Sequence, residues 1–186
     1  MIEGLNDYEE VQATTGEREE LRLGGHVCVI KQVNLGKSKN GKDMMIVYFD
    51  IASPDAQAGY FERKTDIAKQ FDPKATWKGV HRVLIKTNEG GTNPYFKGFI
   101  TSIEASNNGY KFNMDEQTLV GKLFGGVFGR EEFEAGQFTT KIRYVKSTVD
   151  IYNEAIPADK LLPKNESAYN NSFSSNTDFN RDDMPF

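Results

Sequence analysis

Few residues in this chain of 186 could do covalent chemistry, and their spacing limits what that chemistry is. The run G-K-S-K-N-G-K-D (36–43) comes within one residue of the phosphate-binding loop G-x-x-x-x-G-K-[ST]. That loop needs a hydroxyl to ligate magnesium and a helix N-terminus to face the anion. Asp43 stands at the hydroxyl position, where it would repel a phosphate, and a strand-like run follows, so the stretch reads as a turn. His26 and His81 are the two histidines and Cys28 is the one cysteine. In H-V-C, His26 and Cys28 share one face of a strand and read as barrel lining, with no partner at a spacing that a metal or a nucleophile uses. Glu131 and Glu132 fall on a solvated turn. Neither an enzyme nor a cofactor or metal is expected from these residues.

Cations interleaved with rings point elsewhere. Alternation along 119–130 places Lys122, Phe124, Phe128 and Arg130 on one face and Leu119, Leu123 and Val127 on the other. Along 138–146, Phe138, Ile142 and Tyr144 share a face taken as inward, and Lys141 and Arg143 share the opposite one. Along 44–51, Met45, Val47, Phe49 and Ile51 read as core, which leaves Met44, Ile46 and Tyr48 outward. Trp77, between Lys74 and Lys78, is the one tryptophan. Outward cations can follow phosphates while rings stack on unpaired bases, at roughly 1–3 kcal/mol per base whatever the sequence. Lys37, Lys39 and Lys42 crowd a turn beside these strands and join the same candidate surface. The alternative for each ring is core: Phe124 and Phe128 against a helix, Trp77 as a plug.

The elements that must hold these residues follow from the same pattern. G-G-H-V-C-V-I-K-Q-V (24–33) and M-M-I-V-Y-F-D-I (44–51) read as strands joined by a tight turn at Asn40-Gly41. A third strand is expected at A-G-Y-F-E-R-K (58–64), and 65–92 is ambiguous between strand and helix. Phe96, Phe99, Ile100 and Ile103 lie at helical spacing after Pro94, and Asn107-Asn108-Gly109 ends the run. Strands at 119–130 and 137–146 follow, the first bent or bulged at its glycines. Three strands, a helix and two strands make the order of a five-stranded Greek-key barrel with its helix between strands three and four, and of some other small α+β folds.

Charge divides the chain in the same way. Residues 1–20 carry seven acids against Arg18, the body 21–162 has a surplus of four cations, and 163–186 is again acidic, within a net charge of −4. The local field matters more to a polyanion than the total. One cysteine allows no internal disulfide, no apolar run approaches a membrane span, and the acidic start lacks a secretory pattern. These features point to a reducing, cytoplasmic setting. Residues 163–186 are rich in Asn and Ser with no apolar stripe, and read as a disordered tail. It ends on Asp182, Asp183, Met184, Pro185 and Phe186, a ring and carboxylate that a partner with an apolar slot and a basic rim could capture. The acidic tail could also compete with DNA for a basic groove.

D-D-M-P-F resembles the acidic tip of bacterial single-stranded DNA-binding proteins, which recruits replication and repair enzymes. Met184 and the short acid run with Arg181 just upstream depart from that pattern. Y-F-K-G-F-I-T-S-I-E-A-S-N-N-G-Y-K-F (95–112), G-K-L-F-G-G-V-F-G-R-E-E-F (121–133) and I-P-A-D-K-L-L (156–162) resemble a family of phage and prophage proteins of Gram-positive bacteria. The resemblance implies an OB-fold, binding of single-stranded DNA in phage replication and recombination, and residence in the cytoplasm of the bacterial host. A homodimer or higher homo-oligomer would lengthen the short groove of one barrel. An interaction adaptor for recombination proteins and a small nuclease are the competing readings.

Overall fold

The computed structural model describes residues 4, 6, 8–10, 13 and 19–163. Strands β1 (Gly24–Lys37) and β2 (Asp43–Ile51) precede helix α1 (Tyr60–Phe71) and strand β3 (Val80–Leu84). Helix α2 (Pro94–Ser106), strands β4 (Leu123–Glu134) and β5 (Gln137–Lys146), and two short 3-10 turns at Glu116–Leu119 and Ile151–Asn153 complete the order. The strands form one five-stranded antiparallel sheet in the order β3-β2-β1-β4-β5. β1 is central, and β3 and β5 are the two edges. Among the described residues no helix is long and apolar enough to cross a membrane.

The β1–β2 hairpin turns at Asn40-Gly41 as its residues require, with Gly41 at φ +75° and Ser38 bonded across the turn to Lys42. Met45, Val47, Phe49 and Ile51 face a shared core with exposures of 2% or less. On β1, a bulge between Ile30 and Gln32 shifts the inward set from Cys28 and Ile30 to Val33, so that Lys31 and Gln32 both stay exposed. α2 begins where the sequence places it. Asn93 accepts the Tyr95 amide at 2.9 Å, Pro94 fills the first turn, and Phe99, Ile100 and Ile103 bury against the sheet. Asn107 then ties the helix end to Leu123 of β4 through bonds of 2.8 and 3.0 Å.

Residues 58–64 are not a strand: α1 starts at Tyr60, and the third strand is β3 at 80–84. The described residues thus hold two helices rather than the one expected, with α2 lying between β3 and β4. The physical reason is a cap from far along the chain. The buried Asp50 carboxylate of β2 accepts the amides of Phe61 at 2.9 Å and Glu62 at 3.1 Å, while Gly59 at the cap position offers no side chain.

A second apolar layer covers the other face of β1 and β4. Val27, Ala52, Val127 and Ile151 pack there with Val29 and Leu123. The segment that carries Ile151 crosses so close to β1 that a Cβ on Gly25 would sit 1.6 Å from the Ile151 carbonyl oxygen. From Leu123 to Gly129, both faces of β4 are therefore covered by apolar side chains.

Candidate nucleic-acid interface

Two clefts meet at β3. The larger, about 1010 Å³, opens between the sheet edges β3 and β5. Phe49, Phe61, Phe128 and Ile142 line its floor, and Lys64, Lys78, Arg82, Arg130, Phe138 and Lys141 its walls and rim. The second, about 720 Å³, lies on the outer face of β1–β3 and is lined by Lys31, Gln32, Tyr48 and Glu62. Thr76, Trp77, Val80 and Arg82 line both, so the two form adjoining halves of one surface. Six cations line the pair of clefts against the carboxylates of Glu20 and Glu62. The local field is therefore positive on a chain whose total charge is negative.

Backbone geometry sets the rings. Trp77 is half-buried, and its indole N–H is shared between the carbonyls of Phe49 at 3.0 Å and Gly79 at 3.2 Å. This anchors one edge of the indole on β2. Gly79 permits the approach, because a Cβ there would lie 2.2 Å from the Phe49 carbonyl oxygen and 2.8 Å from the indole nitrogen. Tyr48 lies between Gln32 and Val80 across the sheet, on the outward face that alternation assigns it. Phe138 is 38% exposed at the rim, with the Arg130 guanidinium 5.4 Å over its ring.

The cations differ in how freely they could meet a phosphate. Arg130 pairs with Asp159 at 2.8 Å and Lys141 with Glu131 at 3.3 Å, both as exposed pairs of small worth. Lys64 donates to the Tyr60 hydroxyl at 2.9 Å. Lys31, Lys64, Lys78 and Arg82 are exposed and form no ion pair among the described residues. His81 lines the cleft with its ring 5.3 Å from Phe99. Burial pushes its pKa down to about 4, so near neutrality it is an uncharged ring.

Of the residues expected from sequence, Tyr48, Trp77, Arg130 and Lys141 come together here, and Phe128 reaches the larger cleft only as its buried floor. Phe124 and Phe128 do not face outward. They are 0% and 1% exposed, and Phe124 packs edge-on against Phe49 at 5.6 Å and Phe99 at 5.3 Å. Alternation separated the faces of β4 correctly but could not tell which lies inside, because the opposite face is also covered. Arg143 is an extra residue at a bulge where Val127 opposes Tyr144 and Phe128 opposes Ile142. Its guanidinium reaches the carbonyls of Arg130 at 3.2 Å and Ala158 at 3.3 Å, outside both clefts. The same bulge turns Tyr144 outward, 55% exposed, while Ile142 and Val145 pack on the core. Tyr144 is thus not part of the inward set, against the sequence expectation, whereas Phe138 shares the face of Ile142 but lies at the cleft rim, where β5 runs past the core.

Lys122 also lies outside the clefts, 4.8 Å over the Tyr110 ring. Lys37, Lys39 and Lys42 sit at the β1–β2 tip and line neither cleft; Lys37 pairs with Asp43 at 2.5 Å and Lys42 donates to Asn88. Asp182, Asp183, Met184, Pro185 and Phe186 lie outside the described residues. Lys31, Lys64, Lys78, Arg82 and the exposure of Phe138 went unforeseen. Lys78 and Arg82 fall in the ambiguous stretch, and Lys31 is released by a bulge that no local signal marks.

The residues considered for other chemistry are committed to structure. His26 Nδ1 lies 2.9 Å from an Asp55 carboxylate oxygen and Nε2 lies 2.9 Å from the Arg22 carbonyl oxygen. Cys28 is wholly buried, and burial raises its thiol well above the ordinary range. No three His, Cys, Asp or Glu side chains gather as a metal site among the described residues. Neither a protein-family model nor a curated protein matches this chain.

Proposed function

We propose that this chain binds single-stranded DNA without chemistry, coating it in phage replication and recombination and recruiting partner enzymes through Asp182–Phe186. One observation carries the reading: Tyr48, Trp77 and Phe138 line adjoining clefts whose rim holds six cations. Unpaired bases need rings to stack on, and their phosphates need flanking positive charge. The fold reading is an OB barrel. Its support is the strand order, the place of α2 between β3 and β4, and the cleft between the β3 and β5 edges, as in a partly open Greek-key barrel. The resemblance of 95–112, 121–133 and 156–162 to phage single-stranded DNA-binding proteins supports the same function.

The single tryptophan makes the test direct. Titrating the full chain with oligothymidylate should quench Trp77 fluorescence, with affinity falling steeply as salt rises, because each phosphate contact releases counterions. Duplex DNA should bind much more weakly. An unchanged emission, together with no retarded complex at low salt, would remove the reading and favour an adaptor.

A further inference from the structure

We propose that the acidic N-terminal segment, residues 1–20, is an internal competitor for the cationic cleft, displaced when single-stranded DNA enters. The competition rests on the DNA-binding reading above; the contact itself does not. The end of this segment is fastened at the cleft mouth. Gln57 donates to the Glu20 carbonyl at 2.8 Å and to the Glu19 carboxylate at 3.3 Å, and it accepts the Arg22 amide at 2.9 Å. Arg63 holds both Glu19 oxygens at 2.9 and 3.1 Å, and Leu21 is buried in the core. Glu20 itself lines the cleft.

Charge then favours occupancy. The segment carries seven acids against Arg18. Of the six cations that line the clefts, Arg130 and Lys141 already pair with Asp159 and Glu131. The other four, Lys31, Lys64, Lys78 and Arg82, face Glu62 once Glu20 is counted with the segment. A flexible chain of eighteen residues tethered at the mouth spans on average about 20–25 Å, enough to reach either cleft. A tether this short places its acids at an effective concentration in the millimolar range. Tyr8 stands 70% exposed, as an exchanging competitor rather than a fixed plug requires. If it binds with an intrinsic dissociation constant of about 0.1 mM, it weakens DNA binding about tenfold at low salt. Screening removes the effect as salt rises.

The test uses the full chain with Glu3→Gln, Asp7→Asn, Glu9→Gln, Glu10→Gln and Glu17→Gln together. This variant should bind an oligothymidylate of about 16 nucleotides about tenfold more tightly at about 50 mM salt and converge with the unaltered chain near 0.5 M. A fluorescein-labelled peptide of residues 1–18 should bind the same variant. Oligothymidylate should release it, and adding Lys78→Glu and Arg82→Glu to the variant should abolish its binding. Equal DNA affinities for the two chains, or a peptide that does not bind, overturns the proposal. If neither chain binds oligothymidylate while the peptide binds in a manner that needs Arg82, the contact stands and the DNA-binding reading falls.

Discussion

Trp77 concentrates the site's geometry in one side chain. Its indole edge is held by two carbonyls, and it lines both clefts. Trp77→Ala should weaken single-strand binding by roughly 1–3 kcal/mol, the worth of one stacked base. Trp77→Phe keeps a ring but loses the anchoring bond, and should lie between the two; equal affinities across the three chains would show that bases do not reach this ring. His81 makes a different prediction, on stability. Its pKa is about 4 in the fold against 6.5 in the unfolded chain, so between those values the unfolded chain takes up a proton that the folded one refuses. Stability should therefore fall as pH drops through this window, and His81→Gln should flatten that part of the curve. Thermal melts of both chains across about pH 7 to 4 check it. Because His81 stays neutral near pH 7, the same substitution should leave the salt dependence of DNA binding unchanged. Tyr48 was legible because β2 alternates from Met44 to Phe49, whereas the exposure of Phe138 was not. Phe138 keeps the parity of Ile142 and is exposed because the start of β5 runs past the core, while the bulge at Arg143 displaces only Tyr144.

At the scale of elements, what was readable had local causes. α2 carries its cap, its proline and its apolar stripe within fourteen residues, 93–106, and sequence placed it correctly. α1 owes its start to Asp50, eleven residues upstream of Phe61 on another element, so 58–64 looked like a third strand. The inward face of β4 was undecidable for a similar reason. Its second face is covered by the Ile151 segment, which arrives from beyond β5 in the chain. Asp50 turns this contrast into a measurement. Asp50→Ala leaves three amides, those of Ile51, Phe61 and Glu62, without their acceptor. The loss should cost roughly 2 kcal/mol, which lowers the melting midpoint by about 4–8 °C in a chain of this size. The exposed Asp66 of the same helix makes no ion pair among the described residues, and Asp66→Ala should leave the midpoint nearly unchanged. A small effect for Asp50→Ala would mean that α1 is held by packing of Tyr60 and Phe61 rather than by its cap.

The whole molecule separates its charges: acidic ends flank a body whose clefts gather cations, and this polarity predicts how binding responds to salt. For a single strand the logarithm of the affinity falls with the logarithm of salt by about 0.7 for each phosphate neutralised. Lys31, Lys78 and Arg82 line the clefts and pair with no carboxylate among the described residues, so phosphates meet them without first displacing an ion pair. Replacing all three by Gln should reduce the slope by about 2. Lys122 and Arg143 carry the same charge but lie outside the clefts, one over Tyr110 and the other on backbone carbonyls. Lys122→Gln with Arg143→Gln should therefore leave the slope almost unchanged, although it removes two charges from the same body. If both sets flattened the slope in proportion to the charge removed, the strand would be following the net field of the body rather than a path through the clefts. Deletion of 180–186 completes the comparison: it should leave the slope of the full cleft intact and end the capture of replication or recombination enzymes in a pull-down. Retention of those partners by the shortened chain would assign recruitment to the body instead of the terminal phenylalanine.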